Sequence, residues 1–199
     1  MAVTERLVIA SRNENKVREI RVLLTGLPFA VLSARELTDL DVDEDGKTFE
    51  ANAGKKALEI SRAVGLRALA DDSGLVVDAL GGQPGVLSAR FAGEPADDER
   101  NNEKLLDMLA GVPDEKRSAR FVCVAALADP LGNLRLWQGE VSGRILFGRR
   151  GPSGFGYDPL FIPNGYDKTF AELSMEEKNR ISHRGQALLK VRRYLEGDE

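Results

Sequence analysis

The sequence predicts an α/β fold built on a mixed sheet, and three observations carry that prediction. Short apolar runs alternate with segments of helical spacing over the first third of the chain. A longer pair of strand-like runs flanks a single turn in the middle. Two Gly- and Pro-rich stretches, GGQPGVLSARFAGEP and GPSGFGYDP, separate later segments as loops. Early alternation points to α/β, and the long central pair favours a mixed sheet over an all-parallel, doubly wound one.

Leu7 to Ala10 reads as a short buried strand. From Glu14 to about Leu24, Val17, Ile20, Leu23 and Leu24 recur at helical spacing, so a helix follows the polar turn. Val31-Leu32 suits a second short strand, and the acidic DLDVDEDG carries Gly46 as turn punctuation. The helix from about Thr48 to Val64 puts Phe49, Ala53, Ala57 and Ile60 on one face, with Gly65 just past its end. RALADDSGLVVDAL reads as strand, polar turn, strand, and GGQPGVLSARFAGEP as loop with a short helical turn. Asp98 to Leu109 is a helix with Leu105, Leu106 and Leu109 inward. Arg120 to Ala128 and Leu134 to Phe147 form the long strand pair around the turn Asp129-Pro130-Leu131-Gly132. The Gly-rich GPSGFGYDP precedes strand-like Leu160-Phe161-Ile162, and a helix from about Ser182 to Leu195 closes the chain.

At 199 residues the chain suits one domain, residues 1–199, with a sizeable core. Hydrophobic residues make up 42% and charged residues 30%, ordinary for a folded protein. The formal net charge of -4 argues against a nucleic-acid or anionic-membrane partner, which would select a basic surface. An anionic ligand therefore needs a local cluster of donors, with or without a metal ion. Cys123, in the apolar run FVCVAAL, reads as a buried inert thiol. No run approaches the roughly 18 apolar residues of a membrane span, and no secretory leader is evident. A cytoplasmic protein is the expectation.

Five stretches could carry chemistry. In SRNENK, Ser11 to Lys16, helix N-terminal amides plus Ser, Asn and Lys side chains can surround a phosphate. The same residues equally suit a capped helix with a solvated lysine. DVDEDG crowds Asp41, Asp43, Glu44 and Asp45 without EF-hand spacing; one of them could still reach Mg²⁺, which is content with one or two carboxylates. On the following helix Asn52 and Lys56 share a face while Lys55 points elsewhere. ADDSG places Asp71 and Asp72 after an apolar run, at what reads as a strand end, where a carboxylate can bind metal and handle a water proton; Ser73 can donate to an oxyanion. An Asp-Ser-Gly turn is the plainer reading. SGFGYDP sets Phe155 between two glycines, offering a ring to a base. KNRISHRGQAL brings Lys178, the single histidine His183 and Arg184 to a helix start with Ser182 as candidate cap.

In this order, these stretches resemble the inosine triphosphate pyrophosphatase family, also called Ham1-like, over nearly the whole chain. Ser11-Arg12-Asn13 with Lys16 and Glu19 resembles its N-terminal signature. Thr48-Phe49-Glu50 with Asn52, ADDSGL, Gly81-Gly82, Pro84-Gly85 and Ser88 to Arg90 resemble its central block. GFGYDPLF and ISHRGQAL are similar to its C-terminal blocks. The resemblance implies an elongated mixed-sheet α/β fold with two lobes flanking a central nucleotide-binding cleft. It also implies a Mg²⁺-dependent homodimer that hydrolyses ITP, dITP or XTP to the monophosphate and pyrophosphate, clearing deaminated purines from the nucleotide pool.

By position, the resemblance makes Ser11, Arg12, Asn13, Glu14, Asn15 and Lys16, with Lys56, the triphosphate wall. Glu44 and Asp72 would hold Mg²⁺, with Asp43 the alternative loop ligand. Asp72 would also be the general base, and Ser73 would contact substrate. Phe155, Gly156, Tyr157 and Asp158, with Lys178, His183 and Arg184, would recognise the base. The alternatives are a Maf-like nucleotide pyrophosphatase of another base preference and a non-catalytic nucleotide-binding module.

Overall fold

The computed structural model describes Glu5–Asp198. Strands β1 (Glu5–Ile9), β2 (Phe29–Ser33), β3 (Arg67–Val77), β4 (Ser118–Ala128), β5 (Leu134–Ile145) and β6 (Phe161–Pro163) form one sheet in the order β2-β1-β3-β4-β5-β6. β1 runs parallel to β2, with Leu7 opposite Val31, and parallel to β3, with Val8 opposite Ala68. β5 and β6 are antiparallel. The sheet is mixed, as the spacing predicts. The α-helices are α1 (Glu14–Leu23), α2 (Phe49–Val64), α3 (Asp98–Met108), α4 (Met175–Ile181) and α5 (His183–Glu196). Helix α2 ends where expected, at Gly65, whose φ of 66° is the left-handed conformation that glycine adopts without steric cost.

The chain divides into two compact units. The first comprises the chain up to Asp72, Cys123–Gly139 and the chain from Arg184 onward. Its strands obey the two-residue period of the pleat. Leu7, Ile9, Leu69, Cys123 and Ala125 pack with Ile20 of α1, Leu24 at its C-terminal cap, and Leu188 and Val191 of α5. The alternate residues Val8, Ala10, Ala68, Ala70 and Val124 pack with Ala53, Ala57 and Ile60 of α2. In this unit the central strands β1, β3 and β4 are therefore buried on both faces where they pack, and these stretches read as continuous apolar runs rather than alternating ones.

The second unit, Ser73–Val122 and Glu140–His183, has its own core. Leu75, Val77, Phe121, Phe161 and Phe170 pack with Leu105 of α3 and Leu109 at its C-terminal cap, and Phe121 meets Phe161 edge to face at 4.8 Å. Arg117 is 2% exposed and fastens this unit through four main-chain carbonyls. Nε donates to Ile145 O, Nη1 to Leu109 O and Val112 O, and Nη2 to Leu146 O. Phe147 covers the guanidinium at 4.3 Å. Arg117→Ala leaves those carbonyls without their donor, so a loss of about 3 kcal/mol is expected. A urea midpoint should show it with an unchanged m value; a loss below about 1 kcal/mol would mean that water replaces the guanidinium without penalty.

Two sequence expectations change. RALADDSGLVV is not strand, turn, strand but one uninterrupted strand of 11 residues. A turn is unnecessary because both aspartates find partners within the fold, as described below. The short helix α4 was not predicted; Ser174 and Glu177 start it with a reciprocal capping box. Among the described residues no helix is long and apolar enough to cross a membrane.

Candidate active site

Because β3 runs straight through Asp71 and Asp72, the two carboxylates leave the strand on opposite faces. Asp71 joins the α1 and α5 side. Its Oδ2 lies 3.1 Å from Arg184 Nε and 3.4 Å from Lys16 Nζ, and Cys123 Sγ is also adjacent. Arg184 Nη1 in turn meets Glu19 of α1. Burial opposes ionisation of Asp71, but Lys16 and Arg184 outweigh it and hold the carboxyl well below its ordinary range. Burial likewise opposes the charge on Lys16; Asp71, assisted by Asp72 and Glu44, overcomes it and raises that amine. Burial first, then the charge of Asp71, pushes the Cys123 thiol up to about 12, so it is inert as expected.

Asp72 faces α2 instead. Its Oδ2 accepts from Asn52 Nδ2 at 2.9 Å. Asn52 Oδ1 accepts from Gly46 N–H, so one amide ties the acidic turn to the second aspartate. The fit is close: a Cβ at Gly46 would stand 2.5 Å from Asn52 Oδ1. Lys56 Nζ donates to Glu44 Oε1 at 3.0 Å and to the Asp71 carbonyl at 2.7 Å. Lys55 turns outward to Asp45, as its helical position requires. Burial pushes the Asp72 carboxyl up; Lys16 and Lys56 pull it back, and the charge of Glu44 pushes it further.

Glu44 and Asp72 are thus two oxygen donors close enough to repel, and a dication relieves that repulsion. Among the described residues no group of three or more His, Cys, Asp or Glu side chains is assembled for a metal. A hard cation that keeps waters and takes only one or two protein carboxylates fits this donor pair; a fully protein-caged metal does not.

The N-terminal stretch divides. Ser11 Oγ accepts from Asn13 N–H, and Asn13 Oδ1 caps α1 by accepting from Lys16 N–H. Glu14 pairs with Arg35 and Asn15 accepts from Arg18, both at the surface. Arg12 bonds to the Asp39 carbonyl and to Asp41, which fastens the loop after β2. Of these six residues, Lys16 is brought to Asp71.

In the second unit, the loop at Phe155 closes on its own aspartate. Buried Asp158 Oδ2 accepts from Phe155 N–H at 2.9 Å and from Lys178 Nζ at 2.6 Å. Lys178 also stands 4.7 Å from the centre of the Phe155 ring. A Cβ at Gly154 would lie 2.4 Å from that carboxylate, at a φ of 80°, so the turn needs glycine twice over. Gly156 is held through both backbone polar groups by α3: its N–H donates to Asp98 and its carbonyl accepts from Asn102. His183 starts α5 and stacks on Phe121 at 4.7 Å. Ser73 is half-buried on β3.

Tyr157 is 4% exposed and its hydroxyl donates to Ser88 O. Arg184 sits between Asp71 and Glu19, because an arginine buried to 2% exposure requires compensating charge. Sequence reading missed Asp98 and Asn102, which hold Gly156. For Asn102 the signal was present: Asn101 and Asn102 sit on the same inward stripe of α3 as Leu105, a polar break in an apolar face.

A sequence profile of the Ham1 family matches residues 7–194. A dITP/XTP pyrophosphatase of Geobacter sulfurreducens is 54% identical over 191 residues, 96% of each chain. The solved Ham1 protein of Staphylococcus aureus superposes with a TM-score of 0.88 at 43% identity, covering 98% of this chain and 100% of that one. A Ham1 protein of Coxiella burnetii gives 0.89 at 41% identity, over 97% and 99% of the two chains. Matched by profile over almost its full length, by sequence above half identity and by fold throughout, this chain belongs to the Ham1 family.

Proposed function

We propose that the protein hydrolyses deaminated purine nucleoside triphosphates (dITP, XTP and ITP) to the nucleoside monophosphate and pyrophosphate. The observation that carries this reading is the division of labour at Asp71-Asp72. One carboxylate is consumed by buried cations, and its neighbour is presented with Glu44 beside Lys56. A binding module has no need of that second acidic pair, and relatives named dITP/XTP pyrophosphatase support the substrate class.

In this proposal the triphosphate is handled by residues of α1, α2 and β3. Lys16 and Lys56 supply counter-charge that a net-acidic protein must concentrate, and Ser73 donates a hydrogen bond to substrate. Asp72 accepts the proton of the attacking water as the bond between the monophosphate and pyrophosphate parts breaks. Asn52 holds Asp72 in place through Oδ2. Glu44 and Asp72 hold Mg²⁺, which when bound polarises the phosphate and neutralises developing charge. Phe155, Lys178 and His183 of the second unit serve the base. Hypoxanthine and xanthine present O6 and N1–H, where adenine presents an amino group and a bare N1. Donors toward O6 are left unpaired by adenine, a mismatch that can reach ~10⁴-fold. A cytoplasmic homodimer completes the proposal.

The test is a panel of ITP, XTP, ATP and GTP with purified protein, with Mg²⁺ and with EDTA. ITP and XTP should exceed ATP by orders of magnitude in kcat/KM, and EDTA should abolish turnover. Equal turnover of ATP would overturn the assignment.

A further inference from the structure

Helix α3 grips the loop that carries Phe155. Asp98 and Asn102 are four residues apart and share a face of α3. Asp98 Oδ2 accepts from Gly156 N–H at 2.6 Å, and Asn102 Nδ2 donates to Gly156 O at 2.9 Å. Both polar groups of one residue are therefore fixed by one rigid helix, at a φ of 60° that glycine alone adopts freely. The preceding residue is Phe155, whose N–H is already tied to Asp158. With Gly156 clamped and Phe155 N–H anchored, the backbone that aims the Phe155 ring has little freedom left.

Asn102 and its neighbour Asn101 behave differently. Asn101 uses both ends of its amide on one segment, donating to Ala89 O and accepting from Ala92 N–H, which is what a structural brace does. Asn102 is 3% exposed, yet its Oδ1 has no hydrogen-bond partner among the described residues. A buried amide kept half-satisfied serves poorly as a brace. Its Nδ2 donates to the Gly156 carbonyl.

Resting on the function proposed above, we propose that Asp98 and Asn102 are positioning residues for base recognition: they clamp Gly156 so that the Phe155 ring is held ready for the purine. Their side-chain hydrogen bonds run to Gly156, beside Phe155, so their contribution falls on base affinity and selectivity rather than on the bond-breaking step. An interaction equal in ground and transition states alters KM and leaves kcat in place.

The experiment compares wild type with Asp98→Ala, Asn102→Ala and Asp98→Asn in the full chain. Steady-state kinetics are measured with ITP and ATP, and binding by calorimetry with two probes, inosine monophosphate and inorganic tripolyphosphate. The alanine variants should raise KM for ITP and weaken inosine monophosphate binding roughly ten-fold, with kcat within about two-fold. The preference for ITP over ATP should narrow, and tripolyphosphate affinity should stay put. Asp98→Asn retains an oxygen acceptor for Gly156 N–H and should behave as wild type. Unchanged inosine monophosphate affinity in both alanine variants overturns the clamp, as do equal losses for the two probes, which report general unfolding. Failure of the wild type itself to hydrolyse ITP and bind inosine monophosphate overturns the proposed function, and the clamp with it.

Discussion

Asp72→Asn is expected to lower kcat for ITP by roughly 10²- to 10⁴-fold, the contribution of a positioned general base, while the protein stays folded. The fold survives because the substitution is isosteric and the amide can turn its oxygen to Asn52 Nδ2, preserving the 2.9 Å contact. What disappears is the charge. A neutral amide can neither take a proton from water nor hold a divalent cation with Glu44. Burial already disfavours the charge on Asp72, so its removal relieves a cost and stability should hold or rise. Turnover and thermal midpoint measured on the same preparation check both halves. A variant keeping a tenth or more of wild-type kcat would remove Asp72 from the chemistry.

Asp71→Asn is expected to do the reverse, costing roughly 3–5 kcal/mol of stability by breaking a buried ion network from its centre. Asp71 is 1% exposed and faces both Lys16 and Arg184; without its charge Arg184 keeps Glu19, and Lys16 keeps only the weaker influence of Asp72 and Glu44. The pH dependence follows from the direction of the shift. The Asp71 carboxyl is depressed in the folded protein, so its stabilisation is fully present above the unfolded value of about 3.9 and is lost as pH falls below it. Wild type should therefore lose stability more steeply than Asp71→Asn as pH falls from about 5. Urea melts of both proteins across that range are the check. A variant within about 1 kcal/mol of wild type, or one with an equally steep acid slope, would show the network to be dispensable.

The two neighbours thus separate by a property that the sequence contains. Adjacent residues on a strand face opposite ways, so reading ADDSG as strand would have parted Asp71 from Asp72 at once. The turn reading rests on the local Asp-Ser-Gly signal and its Asx-type bonding, which the strand overrides. The residues that make burial tolerable lie far along the chain: Arg184 is 113 positions from Asp71, and Asn52 is 20 from Asp72. The local features were legible for local reasons. The Gly65 stop, the Asn13 cap, the outward turn of Lys55 and the apolar face of α2 all follow from spacing within a turn or two. Arg12, which sequence could assign to phosphate or to water, is fastened to the loop at Asp39 and Asp41, a partner that only the fold supplies. The Asn102 amide escaped for the same reason: its partner Gly156 is 54 residues away.

The most direct measurement of the proposed chemistry is ³¹P NMR of ITP incubated with the purified protein and Mg²⁺. The proposal requires the three triphosphate resonances to be replaced by those of inosine monophosphate and pyrophosphate in equal amounts, with Asp72→Asn leaving ITP intact. Orthophosphate with inosine diphosphate as the first products would contradict it.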